Sequence, residues 1–244
     1  MKSKSTKKTY PKEFIRHYEQ MVNTIKMLQI IGLAKEYIQP NPTPEYNEEG
    51  EYIYKISWKN NVGGVNEKIF SSLDAYCKIV SKRSYQIVLF DNSIVRCAMC
   101  FDSEGILKSQ NFAYVPCPID CFSDENISID DIVEMIKIGL LESNKLLMRT
   151  TVRFDYDSSN DSEEHPANHV HLQSPGTRIS TNGPICFNRF IKHIIEVFYP
   201  KSYFYKKGIL TKNQYEALET LEFIDIKKED LPVKKYSSSS IYHL

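Results

Sequence analysis

The sequence predicts an α+β domain with a mainly antiparallel sheet, a long N-terminal helix, and helices packed on one face. Apolar residues recur every three or four positions in several long segments, which is the period of amphipathic helices. Other segments alternate apolar and polar residues and follow one another through short turns, as hairpin-connected strands do. The two kinds of segment do not alternate regularly along the chain, which disfavours a doubly wound parallel sheet.

Four segments are predicted to be helices. The first carries apolar residues at mixed spacings of three and four from Phe14 to Ile31. Pro40, Pro42 and Pro44 follow it and predict a turn-rich connector, because proline cannot continue a helix. The predicted helices span 11–38, 66–82, 124–143 and 184–199.

The sheet is predicted from six segments with strand character. In the first of them, Tyr52, Tyr54, Ile56 and Trp58 share one side, which is the two-residue period of a strand. Turns rich in Asp, Asn and Gly join the next three segments into a meander, and 178–181 continues the last one. The predicted strands span 51–59, 84–90, 94–101, 106–116, 146–156 and 169–174.

The length and composition indicate one folded domain with two tails. The chain has 244 residues, of which 25% are charged and 41% hydrophobic, and these are ordinary values for a globular protein. We expect a single domain over 10–230, a disordered basic tail at 1–9, and a flexible C-terminal tail at 231–244.

The charge balance and the absence of long apolar runs exclude several classes of protein. The 31 Lys and Arg residues match the 31 Asp and Glu residues, which disfavours a protein that coats nucleic acid by bulk charge but allows a local basic site. No stretch approaches the ~18 apolar residues of a membrane span, and the basic N-terminus lacks the apolar part of a secretory signal. Six cysteines in such a chain indicate reduced thiols, so we expect a cytoplasmic protein with no membrane partner.

Three of the six histidines fall within seven residues, at His165, His169 and His171. Pro166 favours an extended backbone at the residue before it, which suits the entrance of a strand. If Val170 points into the core, the side chains of His169 and His171 share the opposite face of that strand, because strand side chains alternate.

The preceding predicted strand carries charged residues on one face. They are Arg153, Asp155 and Asp157, and they alternate with apolar residues. Hairpin pairing would bring this face beside the two histidines, with Arg178 following on the same side of the sheet. The sequence therefore predicts one surface that holds imidazoles, carboxylates and guanidiniums.

Such a surface could support phosphodiester cleavage by either of two routes. Imidazole titrates near neutral pH and can move protons, a carboxylate can orient it, and arginine can stabilise charge on a phosphoryl oxygen. Alternatively, the same His and Asp side chains could hold a divalent metal that activates water. In a third interpretation, these residues form a polar outer sheet face with structural hydrogen bonds alone.

The same residues resemble a known family. The chain resembles an uncharacterised bacterial family catalogued as domain of unknown function 2290. The resemblance is carried by residues 153–157, the three histidines, Arg178 with the isoleucine after it, and the closing helix that precedes Pro200. The segment 111–116 also resembles that family. The resemblance implies a single-domain bacterial cytoplasmic protein from mobile or defence-related gene neighbourhoods, and it brings no established activity. A weaker similarity of layout is to small toxin ribonucleases.

The cysteines form a second candidate cluster. Cys97 and Cys100, followed by Cys117 and Cys121, have a paired spacing typical of zinc sites. However, an offset of three places Cys97 and Cys100 on opposite faces of a regular strand, and the residues between them are apolar. We therefore favour structural thiols over zinc.

We carry two hypotheses about function. In the first, the protein is a nuclease or related phosphodiesterase, with His165, His169, His171, Asp155 and Arg178 in catalysis and Arg153 and Asp157 contacting substrate. It would be a toxin or phage-defence effector. In the second, it is a non-catalytic subunit of a defence or toxin–antitoxin system that binds nucleic acid or a protein from the same operon. No glycine-rich phosphate loop and no Gly-x-Ser-x-Gly elbow occur, which disfavours ATP hydrolysis, dinucleotide cofactors and serine hydrolases.

Overall fold

The computed structural model of the chain describes residues 9–58, 72–120, 127–141, 145–162, 165–172, 174, 176–229 and 241–242. The helices in these ranges are α1 Lys12–Ile30, α2 Leu73–Ser81, α3 Ile129–Lys137, α4 Phe187–Phe198, α5 Lys201–Lys206 and α6 Lys212–Glu219. The strands are β1 Ala34–Tyr37, β2 Asn41–Tyr46, β3 Tyr52–Ser57, β4 Ile87–Leu89, β5 Ile94–Phe101, β6 Leu107–Val115, β7 Val152–Asp157, β8 Asn168–Leu172, β9 Ile179–Thr181 and β10 Ile241–Tyr242.

Within these ranges the strands form one sheet in the order β1-β4-β5-β6-β7-β8-β9-β10. The centre, from β5 to β9, is an antiparallel meander, and only the two-residue contact between β9 and β10 is parallel among these named strands. The long β5 pairs with β4 near its start and with β3 near its end, and β2 lies outside β3. The predicted α+β class with a mainly antiparallel sheet is confirmed.

The main core lies between one face of the sheet and the helices α1, α4, α5 and α6. Alternate residues of the central strands enter it, among them Phe112 and Phe154, and α4 contributes Phe190. The rings of Phe112 and Phe154 lie 5.4 and 5.8 Å from that of Phe190. Such aromatic contacts stabilise beyond the area they bury, and they hold the central strands against α4.

A smaller apolar cluster lies at one end of the sheet. The helices α2 and α3 pack there against residues such as Val88 and Ile94, whose chain neighbours Ile87 and Val95 belong to the main core. Because successive strand residues point to opposite faces, this second cluster lies on the opposite face of the sheet. The remainder of that face, over β7 and β8, carries polar side chains.

The first helix ends eight residues earlier than the predicted span of 11–38. Gly32 has a positive φ of 82°, which glycine adopts without steric cost, and its amide donates to Gln29. The amide of Leu33 donates to the carbonyl of Leu28, and this pair of bonds is a Schellman motif that ends a helix. Residues 34–37 then form β1, so the prediction of a helix through residue 38 is wrong.

The proline segment is a strand and not the predicted turn-rich connector. Residues 41–46 form β2, in which Pro42 and Pro44 stand opposite Ile56 and Tyr54 of β3. Since β2 pairs only with β3 among the described strands, it is an edge strand. Residues two apart in a strand direct their backbone N–H groups to the same side, so the two prolines remove donors only from the outward-facing side of β2. An edge strand tolerates this loss, because no described strand pairs with that side.

Other boundaries shift by a few residues. The strand expected at 146–156 begins only at Val152, and α5 and α6 follow the closing helix where no helix was predicted. The segments 1–8, 59–71, 121–126 and 231–240 lie outside the described residues. They contain Cys121 and parts of the predicted tails and of two predicted helices. None of the described helices is long and apolar enough to cross a membrane.

Candidate functional site

The register of β7 and β8 brings the predicted polar residues together. Asp155 stands directly opposite His169, and Arg153 stands opposite His171. Between them Phe154 pairs with Val170, and both side chains are buried in the main core. Since the apolar pair faces the helices, the four polar side chains project from the other face of the sheet.

The carboxylate of Asp155 is the centre of this cluster. Its Oδ2 accepts a hydrogen bond from Nε of Arg153 at 2.7 Å and lies 3.2 Å from Nε2 of His171. Its Oδ1 accepts from Nδ2 of Asn111, on the neighbouring strand β6, at 2.7 Å. Nε2 of His169 is 3.8 Å from Oδ2.

The two histidines contact each other through their Nε2 atoms, which are 3.0 Å apart. The Nδ1 atom of His169 lies 2.6 Å from the carbonyl oxygen of Pro166. A carbonyl only accepts, so Nδ1 of His169 carries a proton and donates it, and Nε2 of the neutral ring has a free lone pair. His169 and His171 are 2% and 1% exposed, so the ring positions are fixed by the fold.

Burial and charge act against each other in this cluster. Burial lowers the pKa of His169 to about 4, although the charge of Asp155 acts in the opposite direction. Burial raises the pKa of the Asp155 carboxyl, but the hydrogen bond from His171 and the charge of Arg153 outweigh it, so the pKa lies below its usual value. At neutral pH the cluster therefore holds an ionised carboxylate beside a neutral imidazole.

A concavity of about 320 Å³ opens beside the cluster. Asp155 and His169 lie in its wall together with His165, whose ring centroid is 4.7 Å from that of His169. Nδ1 of His165 lies 3.2 Å from the carbonyl oxygen of Asn160 and donates to it in the tautomer that carries the proton on Nδ1. Nε2, on the other side of the ring, takes no part in that contact. His165 is half-buried, so it is the histidine of the three that a molecule in the concavity reaches most readily.

The structure places the remaining predicted residues in different settings. Asp157 lines the concavity, but its Oδ1 accepts from the amide and the hydroxyl of Ser159 at 3.0 and 2.7 Å. Arg153 is only 8% exposed and is held against Asp155. Arg178 stands one residue before β9, and continuing the register of that strand places it opposite His171. Its Nε is buried and has no hydrogen-bond partner.

Several polar residues that line the concavity were not predicted from the sequence. Lys55 on β3, Asn111 on β6 and Asn160 in the turn after β7 all line the concavity. Lys55 alternates with the apolar residues of its strand, and that alternation was a signal for an outward-facing cation. Its proximity depends on the pairing of β3 with β5, which no local pattern reveals.

The cysteines that the structure describes do not converge on one point. Cys97 belongs to the main core, whereas Cys117 belongs to the apolar cluster on the other face, and Cys100 lines the concavity. Burial raises the pKa of the Cys100 thiol to about 11, so it stays protonated at neutral pH. These placements support structural thiols over a zinc site that includes Cys97, Cys100 and Cys117.

A second and larger cavity, of about 400 Å³, lies between the start of α2 and residues 146–151. Arg149 is the one charged side chain among its described lining residues, and no His, Cys, Asp or Glu joins it there. By contrast, Asp155, His169 and His171 each offer one ligand atom within 4.8 Å of the others. The chemistry is therefore concentrated at the smaller concavity.

Comparison with known proteins gives a family but no function. The model of the family described as "Uncharacterized conserved protein (DUF2290)" matches residues 34–232. No curated protein matches the chain, and no solved structure matches it. The matched range includes every strand from β1 to β9 and the whole polar cluster.

Proposed function

The chain belongs to the DUF2290 family of uncharacterized conserved proteins, and we propose that it is a nuclease or related phosphodiesterase that uses its His, Asp and Arg cluster. The observation that carries the proposal is the convergence of Asp155 and His169 at the wall of an open concavity, with His165 beside them and His171 in contact with both from outside the lining. Enzymes place proton-transfer groups and a fixed carboxylate next to a substrate cavity in this way.

The roles follow from the position of each group. His165 reaches the concavity and exchanges a proton with the attacking or leaving oxygen. Asp155 holds the buried pair of histidines, and Arg153 in turn positions Asp155. Lys55 lines the concavity, and its ammonium group, which pairs with Glu45, is a donor for phosphoryl oxygens. Arg178 is not among the lining residues, and its unpaired Nε is buried. Arg153 is a positioning residue in this proposal, because its guanidinium is already held by Asp155.

The test is a cleavage assay with end-labelled single-stranded RNA and DNA, with and without Mg²⁺, Mn²⁺ or Zn²⁺. We expect the wild-type protein to cut one of these substrates. His165→Gln and His169→Ala should lower the rate by about 100-fold or more, which is the usual contribution of a proton-transfer group. The control is His193→Ala, since His193 lies on α4 and its ring packs against Phe154 on the core face of the sheet.

Absence of cleavage under every condition, by protein with a native circular dichroism spectrum, would refute the proposal. Equal rates for the wild type and His165→Gln would also refute it, because cleavage would then come from another site or a contaminant.

The second candidate function is a non-catalytic binding subunit, and one observation favours it. The buried histidines and Asp155 contact one another and hydrogen-bond to Arg153, Asn111 and the carbonyl of Pro166, as a structural polar network does. In that case the concavity docks a nucleic acid or an operon-encoded protein without turnover. Fluorescence anisotropy with the same labelled strands distinguishes the two functions, because binding without product formation supports only the second.

We propose a bacterial toxin–antitoxin or phage-defence system as the cellular setting. This proposal rests on the sequence resemblance alone, because the matched family is described only as an uncharacterized conserved protein. Induced expression of the wild type should then arrest bacterial growth, whereas His165→Gln expressed to the same level should not. Normal growth with the active wild-type protein would contradict a toxin role and leave the nuclease proposal standing.

A further inference from the structure

We propose that Asp155 Oδ2, His169 Nε2 and His171 Nε2 form a binding site for one divalent transition-metal ion, with an open position facing the concavity. Metal binding is a separate proposal from the nuclease activity, and it can be measured without any cleavage of substrate. Only a role of the ion in cleavage would rest on the proposed function. The residues are two imidazoles and one carboxylate, the donor set of catalytic zinc and iron sites.

The spacing of the three atoms fits one ion. They are separated by 3.0, 3.2 and 3.8 Å. Ligands bonded to zinc at ~2.1 Å stand ~3.0 Å apart in an octahedral arrangement and ~3.4 Å apart in a tetrahedral one. A point equidistant from three atoms with the observed separations lies about 2.0 Å from each of them, which is the length of a metal–ligand bond.

The protonation of His169 also suits a metal ligand. Its Nδ1–H donates to the carbonyl of Pro166, which leaves the Nε2 lone pair directed at His171 and Asp155. Metal-bound histidines commonly donate their other ring N–H to a carbonyl or carboxylate, which fixes the tautomer and orients the ring. In the metal-free protein the proton between the two Nε2 atoms belongs to His171. Binding an ion at this Nε2 requires the other neutral tautomer of His171, in which Nδ1 carries the proton.

The carboxylate is held from its outer side. Arg153 donates to Oδ2 and Asn111 to Oδ1. Each carboxylate oxygen has two lone pairs, so Oδ2 can accept from Arg153 and still bind an ion. These contacts fix the direction of the carboxylate, as outer partners do in known metal sites.

An unsatisfied acceptor marks the open position. Asn111 must turn its Nδ2 toward the carboxylate, which leaves its buried Oδ1 without a hydrogen-bond partner. Asn111 lines the concavity, and so do Asp155 and His169, whereas His171 does not. A water molecule on the ion would therefore lie on the concave side, where Asn111 Oδ1 can accept a hydrogen bond from it and where a phosphodiester has access.

The test measures metal binding by the tag-free protein. Equilibrium dialysis with Zn²⁺ and titration with Co²⁺, followed by visible absorption, should each give one ion per chain. Asp155→Asn, His169→Gln and His171→Gln should each bind zinc at least ~100-fold more weakly. Asp157→Asn and His193→Gln are the matched controls and should bind as the wild type does, because neither residue belongs to the triad.

Three outcomes separate the proposals. A folded wild-type protein that binds no stoichiometric zinc or cobalt overturns the metal site, whatever its activity. Equal zinc affinities of Asp155→Asn and Asp157→Asn would also overturn the metal site. Because both replacements keep the size of the side chain, this comparison remains decisive if a histidine variant does not fold. Stoichiometric binding that is lost in Asp155→Asn, without any cleavage of RNA or DNA, supports the metal site and refutes the nuclease.

Discussion

At the residue scale, the cluster depends on one carboxylate that is only partly exposed. Asp155 has a side-chain exposure of 15%, and Arg153, Asn111 and His171 surround it. Burial alone would raise the pKa of this carboxyl, but the hydrogen bond from His171 and the charge of Arg153 keep the pKa below its usual value. The carboxylate therefore stays ionised at neutral pH beside a neutral His169, which suits it as a metal ligand or as an orienting group.

A histidine outside the site has a testable effect on stability. His17 on α1 is 1% exposed, and neither of its ring nitrogens has a hydrogen-bond partner. Burial, assisted by the charge of Arg16, lowers its pKa to about 4. The unfolded chain binds a proton at His17 below pH ~6.5 while the folded chain does not, so stability falls by about 1 kcal/mol per pH unit as the pH drops from ~6.5 to 4.

His17→Leu should therefore stabilise the protein and flatten its pH profile. The free energy of unfolding should rise by about 1–3 kcal/mol, because leucine, unlike a buried imidazole without partners, has no polar group to desolvate. Urea unfolding at pH 7 and pH 5 measures the change, which should be larger at pH 5. An unchanged pH dependence in His17→Leu would show that His17 is not the group responsible.

At the scale of the elements, alternation within strands was enough to predict the polar face. The pattern around Phe154 and Val170 places Asp155 and His169 on one side without reference to any distant contact. The end of α1 required the left-handed conformation of Gly32, which the apolar period does not encode. Residues 41–46 form the strand β2 in spite of their prolines, because among the described strands β2 pairs on one side only and its other edge needs no N–H donors. That edge position is a property of the whole sheet, which the local sequence does not reveal.

Packing of α4 on β6 and β7 should determine how well the cluster is held. Phe190 is fully buried between Phe112 and Phe154, and Phe154 lies between Arg153 and Asp155 in the chain. We expect Phe190→Ala to lower the free energy of unfolding by about 3–5 kcal/mol, because it leaves a cavity in the core.

The control for this variant is Phe223→Ala, since Phe223 is 43% exposed. It should lower the free energy of unfolding by less than about 1 kcal/mol. Chemical denaturation measures both variants, and similar losses in the two would contradict the assignment of α4 as the main support of the central strands.

At the scale of the whole molecule, the sheet separates a large apolar core from the polar face and a smaller apolar cluster. The two apolar clusters share strands β4, β5 and β6, so neither can unfold without disrupting the other. One domain over 10–230 stays a prediction.

Unfolding should therefore be a single transition. The chain has one tryptophan, Trp58, which is buried with the guanidinium of Arg96 4.3 Å from its ring centroid. Its fluorescence reports on the β3 end of the sheet, while far-ultraviolet circular dichroism reports on all helices. The midpoints of the two signals in urea should coincide, whereas separated midpoints would indicate more than one folding unit.

Anomalous diffraction at the zinc edge tests most directly whether the polar face of β7 and β8 is a functional site that binds metal and substrate. The crystals would be grown with Zn²⁺ and a phosphorothioate dinucleotide, which resists cleavage. We expect one zinc peak within ~2.2 Å of Asp155 Oδ2, His169 Nε2 and His171 Nε2, with the dinucleotide backbone in the concavity beside His165. A dinucleotide bound elsewhere, with no zinc at these three atoms and their direct hydrogen bonds intact, would contradict this expectation.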